Sequence, residues 1–432
     1  MENREPADVV LTRNVPLTNQ RHFIVGILFI TLLVAYLDRV NVSVLLADPQ
    51  FLSDMGITDQ PVKMGLLMTL FLVAYGISNA VLGPVGDILG PRIAMCTSIG
   101  LWGLSMILGG FATTFGTMLG MRVLLGAGEG MHWPMQMKYV KNWFPPRERA
   151  KANGLWLVGL LLGPAVAMPL FTWMISVTNW RVTFLVLVLI SFIPLWLLWF
   201  FTTDHPRQNK KVSPSELDYI ETGLAVEAKE EEVFAKASTW ENMKVFILDY
   251  RYWLVTIYYF CHCSIWWGTM AWLPSYLKVA RGFSWTEMGA WATFPYILGA
   301  IVIILSGIAS DKVGRRDPFP VAAMIISSSC LYGGAYASSN TMAAFLISIG
   351  IASICLATPA IWTIVQQIVP TKSIGAGSGL MNGLANGGSA LAPVLMGYFI
   401  SMSGSYVSGL LFLVGLAVLG GVSMLILALQ RY

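Results

Sequence analysis

Long apolar runs constrain this chain more than any other feature. Twelve of them can be drawn through the sequence, at 23–46, 64–83, 92–111, 115–137, 151–174, 182–202, 252–277, 289–309, 319–338, 341–366, 374–400 and 406–429. A helix needs about 20 apolar residues to cross the hydrocarbon core of a bilayer. Only 12% of the residues are charged, against about a quarter in soluble domains, and the mean hydropathy is +0.66. A transmembrane barrel would show short segments of alternating polarity, and none is visible. The expected fold is an all-α polytopic membrane protein with twelve helices in two six-helix halves.

The pattern divides the chain into a tail at 1–22, an N-terminal bundle at 23–202, a linker at 203–251, a C-terminal bundle at 252–429 and a tail at 430–432. The linker holds Ser213-Pro-Ser-Glu-Leu-Asp-Tyr-Ile-Glu221 and the acidic run 230–232, and is expected to be a solvated connection with a helix or two. One alternate set of connections carries Arg92, Lys138, Lys141, Arg147, Arg149, Lys151, Lys312, Arg315, Arg316 and Lys372, and the N-terminal tail adds Arg4, Arg13 and Arg21. The other set has only Lys63, Arg181, Lys278 and Arg281. The positive-inside rule then places both termini and the linker in the cytoplasm. A polar stretch of about twenty residues precedes the first span, which argues against a cleavable signal.

Several function classes lose ground at this point. The net charge of +4 does not indicate nucleic acid, because the basic residues lie in loops rather than on one face. The five cysteines sit in or beside apolar runs and are expected to be packing residues; Cys261-x-Cys263 has no further ligands nearby for a metal site. No nucleophile–base pair stands out, so an enzyme is not expected.

Charge deep inside the spans is confined to four residues: Asp38 and Arg39, adjacent within Ala35-Tyr-Leu-Asp-Arg-Val-Asn41, and Arg122 and Glu129 in the fourth span. Spans seven to twelve hold no aspartate, glutamate, lysine or arginine at depth. Such groups are costly in a bilayer, usually face the protein interior and by default suggest a functional site. The alternative is an ion pair that only orients helices. Arg122 and Glu129 are about two turns apart, roughly 10 Å along one face. His132 follows Glu129 at i+3 and is weighed as a hydrogen-bonded packing residue ahead of a proton relay. Adjacent helical residues point about 100° apart, so Asp38 and Arg39 can serve different neighbours. Low dielectric favours a neutral carboxyl and a nearby arginine favours the charged form, so an acid between the two influences can exchange a proton as its partner moves. Arginine keeps its proton, and its planar fork suits a carboxylate. The expected division of labour is arginine for an anion and acids for protons.

An internal repeat supports the two-half layout. Gly83-Pro-Val-Gly-Asp87-Ile-Leu-Gly90-Pro-Arg92 recurs as Gly307-Ile-Ala-Ser-Asp311-Lys-Val-Gly314-Arg315-Arg316, each copy after the second span of its half. Repeated six-helix halves are the layout of transporters that rock about a midplane site. This loop motif resembles the signature of the major facilitator superfamily. Tyr36-x-Asp38-Arg39-x-Asn41, Arg122 with Glu129, and Trp143-Phe-Pro-x-x-Glu148-Arg149-Ala150 are similar to the anion:cation symporter family, over essentially the whole chain. That family includes bacterial galactonate and hexuronate carriers and animal sialic-acid and vesicular glutamate carriers.

The resemblance implies a proton-coupled importer of a small organic carboxylate, a sugar acid or other monocarboxylate, working as a monomer in the cell membrane, in bacteria the inner membrane. It implies no cofactor, only protons as coupling ion. Arg39 would hold the substrate carboxylate, Asp38 and Glu129 would be protonatable, and Arg122 would partner an acid, Asp38 first. Tyr36, Tyr75, Trp362 and Asn382 would line the cavity, with Asn382 equally suited to an interhelical hydrogen bond; Trp266 and Trp267 are weaker pocket candidates. Asp87, Arg92, Asp311 and Arg315 would belong to the gating motif.

Two departures qualify the pattern. Ile88 stands where the loop motif usually has a basic residue, and Leu160 follows Gly154-Leu-Trp156-Leu-Val-Gly159 where sugar-acid carriers often place a polar one. The second leaves room, beside Trp156, for a less polar or aromatic carboxylate. An antiporter of phosphorylated substrates is the runner-up, although it would favour basic residues from both halves. A transporter-like receptor is less expected, since the linker is short for a signalling domain. A monoanion entering with two or more protons would carry positive charge inward, and the membrane potential would assist by about 2.3 kcal/mol per charge per 100 mV.

Overall fold

The computed structural model describes residues 18–234, 244, 246–313, 315–369 and 374–430. Arg4, Arg13, Gly314, Lys372 and the C-terminal Arg431-Tyr432 lie outside the described residues, and Asp87 and Asp311 are described as helical positions only. Helix starts follow local chemistry. Pro61, Pro91, Pro146 and Pro318 occupy first turns, where a missing N–H does no harm. Asp48, Thr114, Asn179, Asp249, Ser339 and Ser405 accept hydrogen bonds from first-turn amides.

The N-terminal half contains α1 (Gln20–Leu45), α2 (Pro49–Asp54), α3 (Pro61–Leu89), α4 (Pro91–Gly110), α5 (Phe115–Gly130), α6 (His132–Trp143), α7 (Pro146–Leu157), α8 (Gly159–Val177) and α9 (Trp180–Phe201). A linker helix, α10 (Pro214–Phe234), follows. The second half contains α11 (Tyr250–Ser275), α12 (Trp285–Val313), α13 (Pro318–Tyr336), α14 (Asn340–Ser353), α15 (Thr358–Ile368), α16 (Ile374–Ser389), α17 (Ala392–Ser403) and α18 (Tyr406–Leu429). Among the described residues, pairing the broken helices α5–α6, α7–α8, α14–α15 and α16–α17 gives twelve membrane crossings.

Among the described residues, nine helical stretches are long and apolar enough to span unaided. The other three crossings, α5–α6, α11 and α16–α17, are the ones loaded with charge, hydroxyl-bearing aromatics, or glycine and asparagine. Low apolarity there coincides with the polar lining described below.

Two details differ from expectation. Most of each repeated motif is helix rather than loop: α3 runs through Leu89 and α12 through Val313. Arg92 lies in the first turn of α4, donating to the Trp199 carbonyl and, through its backbone N–H, to Asp204 at 2.7 Å. Arg315 pairs with Asp317 at 2.8 Å. The linker is also less free than a solvated connection. Glu216 of α10 is fully buried and accepts from Arg21 Nη1 at 3.1 Å and from the backbone N–H groups of Gln20 and Arg21 at 3.2 Å each. Glu148 joins them, accepting from Arg21 at 3.1 Å and from the Tyr219 hydroxyl at 3.0 Å.

The two halves meet most closely on the face away from the termini. A Cβ added at Gly65 would stand 2.5 Å from the Pro393 carbonyl oxygen, and one at Gly397 would collide with that of Pro61. Trp272 Nε1 donates to the same Pro393 carbonyl at 2.9 Å. Beside this seam, Thr293 of α12 donates to Ala165 of α8 at 3.2 Å. Helix against helix at near-backbone contact forms a seal there.

Candidate functional site

Small residues bring the charged helices together. Alanine at Gly126 or Gly130 of α5 would strike the carbonyl oxygens of Phe71 and Tyr75, so these glycines seat α5 against α3. Gly163 of α8 rests directly on Tyr36, and Gly159 lies beside Leu33 and Phe29 of α1. Gly159 and Gly163, one turn apart, thus let α8 approach α1 closely. The glycines of α16 are mixed: Gly379, Gly383 and Gly387 have open space where a Cβ would be, whereas Gly377 is seated against Val369 and Gly388 against Phe260.

Arg39 and Glu129 form the centre of the site. Arg39 Nε donates to Glu129 Oε2 at 2.5 Å, and the two side chains are 4% and 0% exposed. The Arg39 guanidinium also stands 4.6 Å from the Tyr36 ring centroid, 4.8 Å from Tyr75 and 5.5 Å from Phe71. Three ring faces around one desolvated cation add attraction beyond the ion pair. Of these rings, Phe71 had no signal in the sequence, being one apolar residue among many.

Arg122 is bound differently from the expected pairing with Asp38. Its Nε donates to the Leu67 carbonyl at 2.8 Å, Nη2 to the Met68 sulfur at 3.5 Å, and its guanidinium lies 4.5 Å from the Phe71 centroid. Phe71 is therefore shared by both arginines. Neither Asp38 oxygen has a hydrogen-bond partner, although the carboxyl lies within electrostatic range of Glu129, Arg122 and Arg39. The four charges form one buried cluster with one direct ion pair. His132 is packed as expected, its ring edge-on to Trp102 at 5.3 Å and 3.1 Å from Gln136 Nε2.

The opposite half supplies uncharged groups. Tyr259 of α11 donates to Asn382 Oδ1 at 3.3 Å, and Asn386 Nδ2 reaches the same oxygen at 2.9 Å. Trp267 Nε1 donates to Asn386 Oδ1 at 3.4 Å, while Trp362 stands edge-on to Tyr259 at 5.4 Å. Tyr36 is within electrostatic range of both Tyr259 and Tyr296, which carries the lining across from one half to the other. Trp266 instead packs on Tyr296 at 5.6 Å. Trp156 is fully buried, its N–H donated to Asn153 at 3.0 Å and its ring against Trp133 at 5.0 Å. Tyr259 and His262, stacked on it, are lining groups that sequence reasoning passed over. Their signal was a Tyr-Tyr-x-x-His spacing that puts aromatic and imidazole on one helix face.

Twelve crossings in two halves, around a charged N-terminal cluster and an uncharged C-terminal wall, define an architecture that comparison with known proteins identifies. The Major Facilitator Superfamily model matches residues 28–382, with a second match at 282–431. The chain belongs to the major facilitator superfamily. A probable sulfoacetate transporter of Cupriavidus necator is 30% identical, over 93% of this chain and 91% of that protein. A D-galactonate transporter of Escherichia coli is 28% identical, over 94% of this chain and 95% of its own. A hexuronate transporter of Bacillus subtilis is 28% identical over 92% of both chains. These superfamily relatives are transporters, not enzymes. Among solved structures, a bacterial homolog of the human lysosomal transporter Spinster, inward-facing and unoccupied, superposes with a TM-score of 0.76 at 17% identity. The match covers 96% of this chain and 99% of that one, and shows the shared superfamily fold.

Proposed function

We propose that this protein imports a small organic anion together with protons by alternating access, the substrate being a sugar acid or other monocarboxylate. The observation that carries this is the Arg39–Glu129 pair. A substrate carboxylate competes with Glu129 for the same guanidinium, and displacement of Glu129 leaves it to take a proton. Substrate and proton are then linked through one arginine. Asp38, without a bonded partner beside this pair, supplies a second exchangeable site. The printed activities of the relatives, sulfoacetate, galactonate and hexuronate transport, support an organic anion.

With the termini in the cytoplasm, as the Lys and Arg distribution favours, a seal on the opposite face makes this the inward-facing state. An antiporter of phosphorylated substrates has less support. It calls for basic residues from both halves, and the C-terminal crossings contribute none at depth among the described residues. The aromatic-carboxylate alternative leaned on Trp156, whose indole is already committed to Asn153 and Trp133.

A thermal-shift panel of sugar acids, dicarboxylates and aromatic acids on the purified protein tests the substrate class. Stabilisation by sugar monocarboxylates is expected. Stabilisation by no carboxylate would overturn the organic-anion reading.

A further inference from the structure

His262 stands beside the polar lining of the C-terminal half, stacked on Tyr259, and takes no part in the coupling scheme. Its ring stacks on Tyr259 at 5.7 Å and 20°, and lies 6.2 Å from Tyr258, which fixes its plane between two aromatic neighbours. Tyr259 in turn contacts Asn382 and Trp362, and lies within electrostatic range of Tyr36 above Arg39. The imidazole Nδ1 is buried and makes no hydrogen bond. A polar ring atom left without a partner at such depth is unfavourable until something bonds it.

We propose that His262 is a specificity-determining contact, hydrogen-bonding the end of the substrate remote from the carboxylate and selecting a hydroxylated tail over a second anionic group. This deepens the organic-anion reading and rests on it. A hydroxyl donates and accepts, so it satisfies Nδ1 in either tautomer of a neutral imidazole. A carboxylate or sulfonate only accepts, and it needs a cation to offset its desolvation. The described membrane crossings of this half hold no lysine, arginine, aspartate or glutamate at depth. The polar group missing at Leu160 is thereby replaced from the opposite half of the protein.

The test is calorimetric titration of the purified full chain in nanodiscs with gluconate and galactonate (hydroxylated monocarboxylates), hexanoate (the same length without hydroxyls) and glucarate (hydroxylated, with a second carboxylate). The better-binding aldonate is expected to bind wild type about tenfold tighter than hexanoate, the scale of one net hydrogen bond, and at least tenfold tighter than glucarate. His262→Ala is expected to remove the preference over hexanoate while leaving hexanoate affinity within twofold, and His262→Asn to restore part of it. Equal weakening toward aldonate and hexanoate would show a merely structural histidine and overturn the proposal. So would an unchanged preference in His262→Ala, or wild-type glucarate binding as tight as that of the aldonates. If His262→Ala does not fold, His262→Asn carries the comparison, and wild-type glucarate binding as tight as that of the aldonates still overturns the proposal. Wild type binding no carboxylate at all would overturn the organic-anion reading and this proposal together, whereas normal carboxylate binding with an unmoved ratio overturns this proposal alone.

Discussion

Arg39 Nε and Glu129 Oε2 stand 2.5 Å apart, joining α1 to α5 across 90 residues of sequence, with both side chains almost wholly buried. Removing one member of such a pair strands a charge at a cost of about 3–5 kcal/mol. A transporter avoids that cost only by replacing the missing member in the same step, with substrate at the arginine or a proton at the acid. The tasks assigned to these two residues are therefore coupled by their contact.

Arg39→Lys keeps the charge but loses the planar fork and much of the stacking with Tyr36, Tyr75 and Phe71. Substrate affinity is expected to fall at least tenfold, about 1.4 kcal/mol, by titration or uptake half-saturation. Unchanged affinity would move the anion site to Arg122.

Glu129→Gln retains an oxygen able to accept from Arg39 but cannot carry a proton. Uptake driven by a proton gradient is expected to vanish while exchange of labelled for unlabelled substrate continues. Driven uptake at the wild-type rate would remove Glu129 from the coupling path.

Gly397→Ala places a methyl against the Pro61 carbonyl in the seal opposite the termini. The population is expected to shift toward the state open on that face. A cysteine introduced beside Arg39 is then labelled faster by an impermeant maleimide added from that side. Labelling no faster than in the unaltered seal would show that the Gly397–Pro61 contact is not what holds it.

The sequence displayed its functional half clearly and its pairing poorly. Asp38, Arg39, Arg122 and Glu129 were legible because charge inside an apolar run is conspicuous, whatever the fold. Which acid met which base depended on helix rotation set by Gly126, Gly130 and Gly163, so Arg122 turned to the Leu67 carbonyl instead of to Asp38. Twelve crossings followed from hydropathy, whereas the docking of α10 through Glu216 onto Arg21 had no local signal, since the partners lie 195 residues apart. Tyr259 and His262 were hidden for the opposite reason. Aromatic residues crowd α11, and only their contacts with Asn382 and each other single them out.

Coupled proton and anion entry is the central claim, and transport current from the protein in liposomes tests it most directly. With substrate outside, a pH gradient and an inside-negative potential are each expected to accelerate uptake, with net positive charge moving inward and a current that reverses when both gradients are inverted. Uptake indifferent to both pH gradient and membrane potential would contradict the account.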